Sequence, residues 1–210
     1  MFKNTIEDKL YRQLNQDRSI KHFFRSDSVG KCMKLIDDYY KIDKNFTKEG
    51  WVEYYLSQKP KEKLIEISEA ISEKTSQDLN TIKQYVFFRV IGQTYNGFLE
   101  ELNVIKELQN EFKDLDFIKG TYELDEKYFT DFECYLYGDL LFGIQVKPIT
   151  YKLMNKDYQL KAKENHQKQR AQYQFMFNVP HRIIYYNENK IHEPEQVFEW
   201  INLNLMKTIL

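Results

Sequence analysis

Cysteine is scarce in this chain: its 210 residues include two, Cys32 and Cys134, and neither belongs to a Cys-x-x-Cys or Cys/His cluster. The spacing indicates neither a zinc site nor a disulfide framework, and a reducing cytoplasm is the expected environment. No apolar run approaches the roughly 20 residues that a membrane-spanning helix needs, and none near the first residue has signal-peptide length. These absences predict a cytoplasmic protein with no membrane partner.

A strong net charge is also missing, since 31 Lys and Arg residues face 32 Asp and Glu residues. This balance argues against a protein that binds nucleic acid through its overall charge, but it leaves room for local basic patches. Apolar residues make up 42% of the chain, which excludes disorder and predicts a packed core.

The first part of the chain, residues 1–94, has the periodicity of helices. Apolar residues recur at helical spacing, as Leu64, Ile67 and Ile71 do, and glycine and proline are sparse. We therefore expect a helical N-terminal half. We expect it to pack with residues 95–210 as one compact unit.

Residues 95–210 mix the periods of helices and strands. The pattern predicts, in chain order, a helix at 95–112, a hairpin within 128–148 around Gly138-Asp139, a polar helix at 155–175, a strand at 181–186 and a helix that begins at Pro194. This order predicts an α/β (α+β) fold with a mixed β-sheet core flanked by helices.

The hairpin sorts its residues onto two faces, because strand side chains alternate. The apolar face consists of Phe132, Cys134, Leu136, Phe142, Ile144 and Val146. The polar face consists of Asp131, Glu133, Tyr135, Gly143, Gln145 and Lys147. The first set is expected to face a core, which leaves the second set available for chemistry.

In a hairpin, each residue of one strand lies opposite a residue of the other. Asp131 shares a face with Gln145 and Lys147 if the numbers of such a pair sum to an even number. A three-residue loop at 138–140 would give that parity and set Asp131 opposite Lys147 and Glu133 opposite Gln145. Directly opposed Cβ atoms lie about 5 Å apart. The pattern therefore predicts that a carboxylate, an amide oxygen and an ammonium converge.

Such a cluster suits phosphodiester hydrolysis, which uses a hard cation such as Mg²⁺ held by oxygen ligands. Asp131 would be the principal ligand, supported by the side-chain carbonyl of Gln145 and the backbone carbonyl of Val146. Lys147 would orient the nucleophile or stabilise the developing charge. The simpler interpretation is a cross-strand ion pair between Asp131 and Lys147, worth at most about 1 kcal/mol.

Asp131, followed on the next strand by Gln145-Val146-Lys147, resembles the motif of the PD-(D/E)xK nuclease superfamily. Glutamine replaces the usual acid, and Thr130 stands where proline is common. The resemblance covers roughly residues 95–190. It implies a restriction-endonuclease-like fold and a metal-dependent nuclease.

More narrowly, Gly-Ile-Gln-Val-Lys-Pro at 143–148, with Tyr-Asn-Gly-Phe at 95–98, is similar to the MjaI type of restriction endonuclease. In this superfamily a glutamate from the preceding helix often joins the metal site. We expect Glu101, which lies on the inward helical stripe, to take this role in preference to Glu100. A surface carboxylate is the other interpretation of Glu101.

The resemblance implies a type II restriction endonuclease: a homodimer that uses Mg²⁺ to cut both strands of a short palindromic DNA site. Residues 95–210 would be the nuclease core, and residues 1–94 would bind DNA or form the dimer. A cognate DNA methyltransferase is expected as a separate protein. The alternatives are a structure-selective or repair nuclease of the same fold, and a catalytically inactive DNA-binding or protein-interaction module.

One local basic segment is visible. Residues 147–170 contain seven Lys and Arg residues and two acidic residues. Such a segment suits contacts with DNA phosphates, and a solvated helix surface is the alternative.

Overall fold

The computed structural model describes residues 6–188 and 190–209. The chain divides into two compact units, which we call the helical unit, ending at Phe98, and the sheet unit, beginning at Leu99. Within the described residues no helix is long and apolar enough to cross a bilayer.

The helical unit confirms the predicted helical N-terminal half. Its helices are α1 (Ile6–Gln16), α2 (Ser26–Val29), α3 (Cys32–Ile42), α4 (Lys48–Gln58), α5 (Lys61–Thr75) and α6 (Leu79–Phe87). A 3₁₀ helix spans Arg18–Phe24, and a π-helical turn, Phe88–Gly92, leads into α7 (Gln93–Glu111).

Large aromatic side chains fill the core of the helical unit. Trp51 and Tyr55 are fully buried, and each polar tip has a partner. The indole of Trp51 donates to the Ile91 carbonyl at 3.1 Å, and the Tyr55 hydroxyl donates to the Val29 carbonyl at 2.9 Å. The unit thus buries these rings without leaving their polar groups unpaired.

The sheet unit confirms the predicted mixed sheet flanked by helices. It continues from α7 through β1 (Asp116–Lys119), α8 (Tyr122–Tyr128), β2 (Phe132–Leu136), β3 (Asp139–Pro148), α9 (Asp157–Phe177), β4 (His181–Asn187), β5 (Lys190–Ile191) and α10 (Pro194–Ile209). The strands lie in the order β1-β2-β3-β4-β5; β3 and β4 are parallel and the other neighbours are antiparallel.

The apolar face of the hairpin lies in the main core of this unit, as predicted. Phe132, Cys134, Phe142, Ile144 and Val146 are buried there, and Leu136 packs at its margin. The opposing layer comes from α7 and α10. The alternation along the two strands therefore correctly assigned the face that supplies stability.

The predicted register of the hairpin is wrong. Glu133 pairs with Gly143, not with Gln145, so Asp131 is not directly opposite Lys147. The loop is a two-residue turn at 137–138, where both residues have positive φ as in a type I′ turn. The pairs next to this turn, such as Leu136 with Asp139, have residue numbers with an odd sum. A bulge between Cys134 and Tyr135 then shifts the pairing by one residue, so that the pairs beyond it have an even sum.

Helix α9 covers the polar face of the sheet. The ring of Tyr173 packs so closely over Gly143 that a Cβ atom there would lie 2.7 Å from it. The Tyr173 hydroxyl donates to Glu133 at 2.9 Å. A glycine at 143 is therefore required by the close approach of helix and strand.

Candidate active site

Asp131 lies one residue before β2 and is 1% exposed. Its Oδ2 atom accepts hydrogen bonds from Gln145 Nε2 at 2.6 Å and from the Val146 backbone N–H at 2.8 Å. Its own N–H donates to the Ile144 carbonyl at 2.8 Å. Two hydrogen bonds thus hold the carboxylate against β3, and a third holds the backbone of Asp131 there.

Gln145 is fully buried and has one unpaired atom. Its Nε2 atom contacts Asp131, while its Oε1 atom has no hydrogen-bond partner among the described residues. A buried acceptor without a partner costs about 1–3 kcal/mol. An amide oxygen in this position, beside a carboxylate, is a ligand of the kind that Mg²⁺ takes.

Glu101 points from α7 into the same region. It is buried, whereas Glu100 is only half-buried. Burial, followed by the charge of Asp131, raises the pKa of Glu101 to about 7. The structure therefore brings Glu101, the glutamate predicted in preference to Glu100, near Asp131.

Lys119, at the end of β1, is a member of the site that the sequence analysis missed. Its ammonium lies 3.0 Å from Glu101 Oε2 and 3.5 Å from the Asp131 carbonyl. Burial opposes its charged form, but the carboxylates of Glu101 and Asp131 outweigh burial and raise the pKa of Lys119. Its ammonium therefore stays charged and partly neutralises the acidic cluster.

Asp125, on α8, was also missed. Burial, followed by the charge of Asp131, raises the pKa of Asp125 to about 6, so the two carboxyl groups are close enough to interact. Asp125 lies six positions before Asp131 in the sequence, and β1 and α8 were not predicted. Only a prediction of α8 as a short helix folding back on the site would have singled it out.

Lys147 is half-buried on β3, with its ammonium 4.6 Å from the centre of the Phe129 ring. Its charge offsets part of the rise that burial and Asp131 cause in the pKa values of Glu101 and Asp125, so it lies within electrostatic reach of both carboxyls. The predicted carboxylate and amide are therefore in contact, and Lys147 lies on the same face of β3, although the register differs from the prediction.

Thr130 and His181 support the start of β2. The His181 Nε2 atom lies 3.1 Å from the hydroxyl of Thr130, and its Nδ1 accepts from Arg170 Nε at 3.0 Å. Burial and the Arg170 charge lower the pKa of His181 to about 3, so the ring is neutral. Thr130 makes a contact that a proline at this position could not make.

The site as a whole combines three carboxyls, one unpaired amide oxygen and two lysines, which are Glu101, Asp125, Asp131, Gln145, Lys119 and Lys147. Among the described residues, no group of three or more His, Cys, Asp or Glu side chains is arranged as a ready metal site. The orphaned Gln145 oxygen and the raised pKa values of Glu101 and Asp125 nevertheless fit a cation among these oxygens.

Comparison with known proteins relates the chain to a family. The chain matches the family described as MjaI restriction endonuclease over residues 12–199. No curated protein and no solved structure matches it.

Proposed function

This chain belongs to the MjaI restriction endonuclease family, and we propose that it is a Mg²⁺-dependent homodimeric enzyme that cuts both strands of DNA at a short palindromic site. Membership in the family supports a nuclease that hydrolyses phosphodiester bonds. A two-fold symmetric site matches a two-fold symmetric dimer with one active site per subunit. A separate DNA methyltransferase would protect the host's own copies of the site.

The observation that carries this proposal is the buried pair of Asp131 and Gln145. One Asp131 oxygen accepts two hydrogen bonds from β3, and the Gln145 Oε1 atom beside it is buried and unpaired. An inert ion pair or decayed site gives no reason to bury an unsatisfied oxygen there. A cation would satisfy it.

Asp131 and Gln145 would hold Mg²⁺, with the Val146 carbonyl, Glu101 and Asp125 as further oxygen ligands. The chemistry that Mg²⁺ supplies when bound is polarisation of the phosphoryl group and a lowered pKa of the attacking water. Two ligands with raised pKa values would ionise fully beside a divalent cation.

Lys147 and Glu101 would act on the reacting atoms. The water oxygen forms a new bond to phosphorus, one ester P–O bond breaks, and Lys147 stabilises the extra negative charge in between. Glu101, ionised beside the cation, would accept the proton of the water, and the leaving ester oxygen would take a proton from solvent. Lys119 would position Glu101 through their 3.0 Å ion pair.

The test is incubation of the purified full chain with phage-sized duplex DNA, in Mg²⁺ or in EDTA, followed by gel sizing. We expect discrete bands in Mg²⁺ and intact DNA in EDTA. Asp131→Asn should remove the cutting and Asp139→Asn, at the exposed start of β3, should retain it. This matched pair excludes a contaminating nuclease.

Other outcomes would assign the chain differently. Cutting of branched DNA with an intact plasmid would replace the proposal with a structure-selective nuclease of the same fold. DNA binding without turnover on any substrate, with or without Mg²⁺, would replace it with an inactive binding module.

A further inference from the structure

A basic pocket of about 410 Å³ lies between α9 and β4 in the sheet unit. Its charged lining residues are Lys152, Lys163 and Arg170, and none of the described residues that line it is acidic. Of the three, Lys152 has an acidic neighbour, Glu193, at 3.5 Å on the exposed rim. The pocket therefore has the chemistry of an anion site.

The pocket opens on the same face of the sheet as the candidate active site. Ile183 and Tyr185, which line it, pair in parallel register with Gln145 and Lys147. Register partners in neighbouring strands present their side chains on one face, and such strands lie about 4.8 Å apart. The pocket therefore lies one strand away from the candidate active site, on the same face of the sheet.

Aromatic stacking joins the pocket to the catalytic lysine. The ring of Phe129 lies 4.6 Å from the Lys147 ammonium and stacks on His166, with ring centres 3.9 Å apart. His166 is itself part of the pocket lining. One aromatic ring therefore separates Lys147 from the pocket wall.

The cations of the pocket are held in place before any ligand arrives. Arg170 donates from Nε to the His181 ring at 3.0 Å and from Nη2 to the His181 carbonyl at 3.1 Å; its Nη1 makes no hydrogen bond to a described residue. Lys163 donates to the carbonyls of Lys152 and Met154 at 3.1 and 2.8 Å. With three N–H groups, Lys163 retains a further donor.

We infer that this pocket binds a phosphate of the same DNA strand whose neighbouring phosphodiester is hydrolysed at Asp131 and Lys147. The inference rests on the proposed function. A DNA strand carries one phosphate for each 3.4 Å of helix axis, roughly. A strand with one phosphate at β3 therefore has another within reach of the adjoining pocket, where it would fix the register of the cleaved strand.

A phosphate suits the pocket better than a stacked base does. Two of the lining rings already have a lysine over them: Lys163 lies 5.6 Å from the Tyr151 ring centre and Lys152 lies 5.2 Å from that of Tyr185. A base could not stack on these ring faces, because a lysine already lies over each of them. The lysine ammonium groups are therefore available to bind a phosphate.

The first test adds one negative charge inside the pocket. Gln167 lines the pocket, whereas Gln172 is exposed on α9 and does not line it. Gln167→Glu and Gln172→Glu are therefore a matched pair. Binding of a fluorescein-labelled duplex is measured by anisotropy in EDTA. We expect Gln167→Glu to weaken binding about tenfold more than Gln172→Glu does. Equal effects would overturn the inference.

The second test counts phosphate contacts. The slope of the logarithm of the binding constant against the logarithm of salt concentration should fall by about 1 in Lys152→Gln. It should stay unchanged in Lys106→Gln, whose side chain is exposed on α7 and outside the pocket. If the slope is unchanged in both variants and the wild type cuts DNA, the inferred phosphate site is overturned and the proposed function stands. If the slope falls in Lys152→Gln but the wild type cuts no DNA, the proposed function is overturned and the pocket remains a phosphate site.

Discussion

The two faces of β3 are built from the same strand and differ in what they contribute. Phe142, Ile144 and Val146 are buried in the apolar core. On the other face, Gln145 is just as buried but has an unpaired oxygen, and Lys147 is half-buried beside carboxyl groups. One face therefore stabilises the fold, and the other places costly polar groups where a cation and a phosphate would meet them.

Along β3, residues that stabilise the fold alternate with residues whose side chains line the candidate site. A period of two puts a core side chain beside every site residue, so the backbone that carries the site is fixed by packing. Substitutions on the two faces should accordingly separate stability from activity.

The largest expected effect is on catalysis, from the polar face. Lys147→Ala should lower the rate of DNA cleavage roughly 10²–10³-fold, because a cation aimed at developing charge is lost. DNA binding in EDTA and the midpoint of thermal unfolding should change little. Lys106→Ala, an exposed lysine on α7, is the matched control and should cut normally. Full activity of Lys147→Ala would contradict the proposed role.

The apolar face should give the opposite result. Ile144→Ala leaves a cavity in the core and should lower the free energy of unfolding by about 2–5 kcal/mol. Its cleavage rate per folded molecule, measured well below the unfolding midpoint, should stay near that of the wild type. Ile118→Ala on β1, where the side chain is 53% exposed, should cost about 0.5 kcal/mol or less. If Ile144→Ala also lowered the free energy of unfolding by only about 0.5 kcal/mol or less, the place of Ile144 in the core would be contradicted.

A substitution of Asp125 tests whether the acidic cluster beside the polar face of β3 takes part in binding Mg²⁺. Asp125→Asn removes a carboxyl group whose pKa is raised by burial and by the charge of Asp131. Cleavage should require more Mg²⁺, with activity about 10–100-fold lower at limiting metal. The metal-free variant should unfold at a higher temperature at pH 8, because repulsion between carboxylates is reduced. A Mg²⁺ titration identical to that of the wild type would remove Asp125 from the site.

The smallest effect is the pH dependence of the metal-free protein. Burial and Asp131 raise the pKa of Glu101 from 4.5 to about 7, so the folded state binds this proton more tightly than the unfolded state. The stability that this proton provides is complete below about pH 4.5 and is lost as pH rises through about 7. Urea unfolding in EDTA across this window should show a steeper fall for the wild type than for Glu101→Gln. Glu111→Gln, at the exposed end of α7, should keep the wild-type slope.

Local patterns predicted much of the fold. The helix expected at 155–175 is α9, and the strand expected at 181–186 is β4. Strands β1 and β5 and helix α8 were not predicted, because four, two and seven residues are too few to show a period. Their place depends on pairing with longer strands and on packing.

The candidate site was predicted in composition but not in detail. Parity alone placed Asp131, Gln145 and Lys147 on one face, and this holds despite the wrong register because a bulge and a two-residue turn preserve parity. Lys119 and Asp125 could not be recognised, since their proximity to Asp131 comes from β1 and α8 folding back on β2.

The sequence by itself determined which face of each strand is apolar, which residue types could hold a cation, and the family of the chain. The first two follow from a period of two residues and from the chemistry of single side chains, and the family follows from the residues at 143–148 and 95–98 and from the match over residues 12–199. The tertiary structure alone decided the bulged register, the approach of Lys119 and Asp125, and the basic pocket beside Lys147. Each of these joins residues from different elements, and no local pattern records which elements will meet.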